Sequence, residues 1–285
     1  MIMLTGLCIY PIKSCGGIDL SEAEIGEFGL ALDRRWMLVD RMGRFLSQRE
    51  YPLMAAIKVS FVGTDELLVQ APAMAPLYLP MAAPQGAAKL PVMVWSNELA
   101  ALDCGEDMHR WFSAFLGTDA RLVCFDPAAR RECSRDWTGD IVATTQFSDG
   151  FPLLVTTQAS LDDLNFRMQQ KGAPALPMNR FRPNLVLSGL DAYEEDYVDT
   201  LTIGAGDNPV VLRLVKPCAR CPIPGIDQSS GLINAQWPHE PLDTMATYRA
   251  NERVGGLTFG QNAIVIAGVG KHVQLGMPVQ AELNF

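Results

Sequence analysis

Histidine is scarce in this chain: His109, His239 and His272 are the only three among 285 residues. They are widely separated, so the second ligand pair that a Cys-x-x-Cys zinc site needs has no ready source. Positive charge is also short. Lys and Arg number 23 against 32 Asp and Glu, a formal net charge of −9. Such a surface repels nucleic-acid phosphates and anionic lipids. Long apolar runs are missing too, and nothing approaches the roughly 20 residues that span a bilayer. The N-terminal MIMLTGLCIYPIKSCGG lacks the early positive charge and apolar run of a signal peptide. The seven cysteines are odd in number and dispersed, unlike a disulfide framework. The expectation is a soluble, cytoplasmic protein with reduced thiols, no nucleic-acid partner and no membrane span.

What is present is apolar and strand-forming. Hydrophobic residues make up 48% and charged residues 19%, enough for a sizeable core and too little charge for disorder. LTGLCIYPI, SEAEIGEFGL, RRWMLVD, GRFLSQ, AAIKVSFV and DELLVQ are short, strand-like segments punctuated by turn residues. Residues 71–92, rich in Ala and Pro, read as an irregular connection with extended pieces. DMHRWFSAFLG reads as a helix with Trp111, Phe112 and Phe115 on its apolar face and Gly117 as its stop. SLDDLNFRMQQKG reads as a second helix, capped by Ser160 and buried through Leu161, Leu164 and Met168. Strands then return in NLVLSG, DTLTIG, PVVLRLV, NAIVIAGV and HVQLGMPVQAEL. The turn-rich CFDPAARRECSRDW suggests a boundary within 120–135. The expected architecture is mainly β with a few helices, in two domains, 1–125 and 126–285.

The chemistry concentrates around KPCARCPIPGID. Cys218 and Cys221 admit a zinc site, a thioredoxin-like redox pair, or two ordinary half-buried thiols. Zinc lacks ligands, and Pro222-Ile223-Pro224-Gly225 starts no convincing helix to activate a redox thiol. Lys216, Arg220 and Asp227 crowd the pair while Pro217, Pro222 and Pro224 stiffen it. Nearby cations favour thiolate, and a stiffly held thiolate beside arginine suits a soft metal or an anionic ligand. Lys13 and Ser14 at a strand end, Arg34 and Arg35 before an apolar run, and Arg180 and Arg182 around Phe181 are further cations in apolar company. They form either a dedicated anion pocket or ordinary surface charge paired with carboxylates.

YPIKSCGG, LDRRWMLVD, SDGFPLLVTTQASLDDLN, NRFRPNLVLSG, PCARCPIPGIDQSSG and TFGQNAIV occur in this order along nearly the whole chain. In that series the sequence resembles the MOSC-domain proteins that include the mitochondrial amidoxime-reducing component and its bacterial YcbX-like relatives. The resemblance implies a β-rich, barrel-like N-terminal domain packed on a β-barrel MOSC domain. It implies a molybdenum–molybdopterin cofactor, with Cys221 as the one protein thiolate on the metal and Cys218 without an obligatory role. Lys13, Ser14, Arg34, Arg182, Asn184 and Arg220 would hold the pterin and its phosphate, and the Gly150-Phe151 backbone and Asn262 would line the same pocket. Two departures stand out. Ala219 stands where some relatives have Ser, and Gly150 and Phe151 stand where relatives often carry a hydroxylated residue.

The implied reaction is reductive removal of oxygen from small N-hydroxylated substrates: amidoximes, hydroxylamines or N-hydroxylated bases. Asp227 is the candidate proton relay, with capping of the Ser229-Ser230-Gly231 turn as its equal alternative. Many bacterial relatives carry a C-terminal two-iron ferredoxin module, and this chain stops at MPVQAELNF. The expected electron donor is therefore a separate protein, a ferredoxin, a flavodoxin, or a cytochrome b5-like protein with its reductase. The alternative from another class is a carrier of persulfide sulfur or of the cofactor itself.

Overall fold

A computed structural model describes residues 1–206 and 209–284. Strands hold 38% of residues and helices 17%, so the chain is mainly β. Seven strands close into a barrel in the order Leu153–Thr157, Leu185–Ser188, Ile2–Ile9, Pro278–Leu283, Val198–Ile203, Val210–Ala219 and Gly256–Ala267, the last returning to the first. Alternate residues point inward, as in Leu201 and Ile203 or Val210, Leu212 and Leu214, and fill the barrel with Leu4, Leu7, Val155, Leu187 and Ala263. The first strand comes from the N-terminus yet sits between Leu185–Ser188 and Pro278–Leu283.

One pair in the barrel is parallel, Leu153–Thr157 with Leu185–Ser188. A parallel pair needs a crossover, and helix Gln158–Gln170 supplies it. Leu161, Leu164 and Met168 form its buried stripe. Its cap differs from the sequence expectation. Thr157 is the N-cap and accepts the amide of Ser160 at 3.2 Å. Ser160 lies one turn inside the helix, where its hydroxyl donates to the buried Glu195 carboxylate at 2.7 Å.

A four-stranded sheet, Trp36–Val39, Arg121–Phe125, Asn97–Asp103 and Lys89–Val94, forms the second body. Helix Glu106–Leu116 covers one face through Trp111 and Phe112, and Phe147 packs the other. Both faces are covered, which explains why all four residues of Trp36–Val39 are buried and read as one apolar run. Gly117 ends the helix in the left-handed region, at φ 66°. GRFLSQ forms only the isolated bridges of Arg44 and Phe45, because the Asp40 carboxylate takes the amides of Met42 and Arg44 into a tight turn. The Ala/Pro-rich stretch carries two extended pieces, Leu77–Pro80 and the start of Lys89–Val94. Among the described residues no helix is long and apolar enough to cross a membrane.

The two bodies meet where the first strand ends. Tyr10–Ser14 leaves the barrel and runs beside Arg34–Trp36, with Lys13 N bonded to Trp36 O at 2.8 Å and Arg34 N to Tyr10 O at 2.9 Å. This seam faces the Cys218–Cys221 turn across an open cleft.

Candidate cofactor cleft

Lys13, Ser14, Arg34, Gly150, Phe151, Arg182, Asn184, Arg220, Cys221 and Asn262 all line this one cleft. Strand ends position most of them. Cys221 follows the end of Val210–Ala219 and precedes the short 3-10 turn Ile223–Gly225. Asn262 lies on the neighbouring strand and donates to Lys216 O at 3.1 Å. The backbone is strained here. Of the seven non-glycine residues with positive φ among the described residues, Ser14 (67°), Arg34 (46°) and Arg182 (55°) line the cleft. Such conformations each cost about 1–3 kcal/mol and cluster where function holds them in place.

The cations differ in how their charge is answered. Arg34 is held by the buried Asp33 carboxylate at 2.6 Å and donates to Asn184 Oδ1 at 3.1 Å and Arg182 O at 3.2 Å. Burial pushes the Asp33 carboxyl up, against the pull of Arg34. Arg34 rises despite burial because Asp33 faces it. Arg182 has only a neutral partner, Gln228 Oε1 at 3.0 Å, and burial lowers its pKa. The two guanidiniums pack against the Tyr10 ring at 4.3 and 4.1 Å from its centroid. Arg220 donates only to main-chain carbonyls, including Phe181 O at 2.9 Å and Phe259 O at 2.6 Å. Lys13, 6% exposed, reaches Phe147 O at 2.8 Å and Asp149 Oδ1 at 2.6 Å. Burial lowers its pKa, and Asp149 opposes that. Arg182 and Arg220 thus bring positive charge into the cleft with no carboxylate among the described residues bonded to them, an arrangement that suits a bound anion.

Several side chains have narrower roles than expected. Asn184 is 2% exposed, and its amide group bonds Cys8 O, the Leu154 amide and Arg34. It positions Arg34. The Phe151 ring packs with Cys133 and Ile264, leaving its backbone to the cleft. A Cβ on Gly150 would meet open space, so the larger residues of relatives fit there. Cys218 also lines the cleft, its thiol pushed up by burial.

Asp227 is the correction. It does not line the cleft. Its Oδ1 accepts the amides of Ser229 and Ser230 at 3.1 and 3.0 Å and both hydroxyls, and Oδ2 pairs with Arg180 at 2.9 Å. The Ser229 hydroxyl is the largest of the influences that hold its pKa at about 2, against the opposing effect of burial. A carboxyl this acidic is almost never protonated near neutral pH and is a poor proton donor. The capping alternative describes it.

The cleft also contains residues for which the sequence gives no signal. Phe45 and Arg49, from the segment after Trp36–Val39, meet Asp149 only in the fold. Arg180 flanks the cleft beside Pro224. Among the described residues no group of three His, Cys, Asp or Glu side chains is placed to hold a bare metal ion. A half-exposed cysteine pair, Cys218 and Cys221, amid cations instead suits a soft metal that arrives with its own ligands and its own negative charge. The donor set therefore fits a phosphorylated pterin carrying molybdenum.

Family models match both parts of the chain: a MOSC N-terminal beta barrel domain over residues 1–119 and a MOSC domain over residues 143–280. Mitochondrial amidoxime reducing component 2 of Homo sapiens is 36% identical over 250 residues, covering 85% of this chain and 71% of that protein. Mitochondrial amidoxime-reducing component 1 of Mus musculus is 36% identical over 253 residues, covering 85% and 70%. The molybdenum cofactor sulfurase of Bos taurus is 28% identical over 247 residues, covering 81% of this chain and 27% of that protein. The chain belongs to the MOSC-domain family, in the group of the amidoxime-reducing components.

Proposed function

We propose that this protein is a molybdenum-cofactor-dependent reductase of small N-hydroxylated compounds. The observation that carries the reading is the convergence of the half-exposed Cys221, beside Cys218, with Arg182 and Arg220, cations that no carboxylate among the described residues bonds. The names of the relatives support the substrate class. Cys221 would ligate the metal, with Lys13, Ser14, Arg34, Arg182 and Arg220 around the phosphate and pterin. When bound, the cofactor supplies two-electron oxygen-atom chemistry.

The chain's own residues do the rest. Asn184 and Asp33 fix the Arg34 guanidinium, so little reorganisation remains when an anion binds. The Tyr10 ring keeps Arg34 and Arg182 beside each other despite like charge. Electrons come from a separate protein, of the ferredoxin, flavodoxin or cytochrome b5 kind. Seven unpaired thiols support a reducing compartment such as the cytoplasm.

The test is turnover of benzamidoxime by purified protein under reduced viologen, together with its metal content. Turnover with near-stoichiometric molybdenum supports the reductase. Metal-free protein that accumulates a persulfide on Cys221 would instead make it a sulfur carrier, the role suggested by the sulfurase relative.

A further inference from the structure

We propose that Asp149, with Trp95 and Phe45 beside it, is a recognition subsite of the cleft that holds the planar amidine head of the reaction product through its open Oδ2. The inference rests on the reductase reading and names the feature of the product that the chain reads.

Asp149 is out of place in electrostatic terms. The cleft is lined by Lys13, Arg34, Arg49, Arg180, Arg182 and Arg220, and a carboxylate there repels the anion those cations would bind. Yet its side chain is 73% exposed to the cleft. Both protein donors that reach it use one oxygen: Lys13 Nζ at 2.6 Å and Trp95 Nε1 at 3.2 Å both bond Oδ1. Among the described residues Oδ2 has no hydrogen-bond partner. The surrounding walls would raise its carboxyl, but the charge and hydrogen bond of Lys13, then Trp95 and Arg49, hold it far below the usual carboxylate range. A permanently ionised carboxylate with a free oxygen accepts donors and has no proton to give.

Its neighbours supply aromatic surface. The Phe45 and Trp95 rings lie edge to face with centroids 5.0 Å apart, and Arg49 stacks on Trp95 at 4.3 Å. Trp95 is 45% exposed. It sits in the two-residue tip joining Lys89–Val94 to Asn97–Asp103, at φ 57°. Hairpin tips at positive φ prefer Gly, Asn or Asp, and a bulky aromatic there is a strained exception of the kind found at binding sites. Phe45 and Arg49 also line the adjoining side groove with Trp95, so this surface continues outward from the cleft.

The chemistry of the reaction matches this carboxylate. Two electrons and two protons convert an amidoxime into an amidine and water, with the electrons delivered by the donor protein. The amidine then takes a proton and becomes a planar cation whose N–H groups give a charge-assisted hydrogen bond to the open Oδ2. Charge therefore develops next to Asp149 as the product forms.

Titration calorimetry with benzamidine and its neutral isostere benzamide, on the purified full chain, tests the subsite. The wild type is expected to bind benzamidine about tenfold or more tightly than benzamide, as a charge-assisted pair would. Asp149→Asn should bring the ratio to within about twofold, and Trp95→Leu should weaken both ligands together. If Asp149→Asn fails to fold because Lys13 is stranded, the double variant Lys13→Met/Asp149→Asn gives the same readout. Equal affinities in the wild type, or a preference that survives loss of the carboxylate, would overturn the subsite. Benzamidoxime turnover measured alongside separates the two ideas. Preference without turnover removes the reductase and keeps the subsite; turnover without preference removes the subsite and keeps the reductase.

Discussion

Asp227 shows how a single residue can be misread from its neighbours in sequence. Six positions from Cys221, it looks available for proton transfer, yet its carboxylate is fully engaged by the Ser229–Ser230 turn and Arg180. Its pKa of about 2 lies below the ordinary 3.8. The fold binds the ionised form, so the stability this residue contributes is present above about pH 4 and disappears as pH falls towards about 2. Asp227→Asn is expected to lower the melting temperature at pH 7, with the gap from the wild type closing over that acidic window. The same variant should keep turnover within about threefold, where loss of a proton relay costs roughly a hundredfold or more. The cations and Cys221 were legible because YPIKS, DRRW, FRPN and CARC each keep charge and apolar strand together locally. Asp149, Phe45 and Trp95 were not, since a loop, a bridge segment and a hairpin tip become neighbours only in three dimensions.

Elements show the same division between local and distant information. The helix after Leu153–Thr157 was readable from its stripe of Leu161, Leu164 and Met168, but its first residue was not. Thr157 and Ser160 are both able caps three positions apart. The choice between them is made by Glu195, 35 residues beyond Ser160, which draws the Ser160 hydroxyl inward. Closure of the barrel depends on another local detail. Gly260 has φ 74°, and a Cβ there would lie 2.6 Å from Val155 O on the strand it must pair with. Gly260→Ala is expected to destabilise the protein by about 1–3 kcal/mol from the backbone conformation alone. Urea titration followed by circular dichroism would read this, and an unchanged midpoint would refute the tight closure.

The molecule as a whole is a seven-stranded barrel beside a second β body, and the barrel borrows one strand from the far end of the chain. Ile2–Ile9 pairs with Leu185–Ser188 on one side and Pro278–Leu283 on the other, and its continuation carries Lys13 and Ser14 into the cleft. Periodicity could identify these strands but not their order, because strand partners in a barrel are chosen by long-range register. A fragment containing only residues 143–285 lacks that strand. It is expected to expose the edges of both neighbouring strands and to be insoluble or unfolded, whereas adding residues 1–20 as a separate peptide should recover strand content. A soluble, folded fragment with native-like circular dichroism would contradict the description of the barrel.

The central claim is that this cleft holds a molybdenum cofactor through Cys221. Its most direct test is the molybdenum content per chain, measured by inductively coupled plasma mass spectrometry on wild type and Cys221→Ser from a host that makes the pterin. The expected result is about one molybdenum per wild-type chain and a large loss in the variant, since on this proposal the thiolate would be the protein's one bond to the metal. Equal metal in both proteins, or none in a correctly folded wild type, would contradict it.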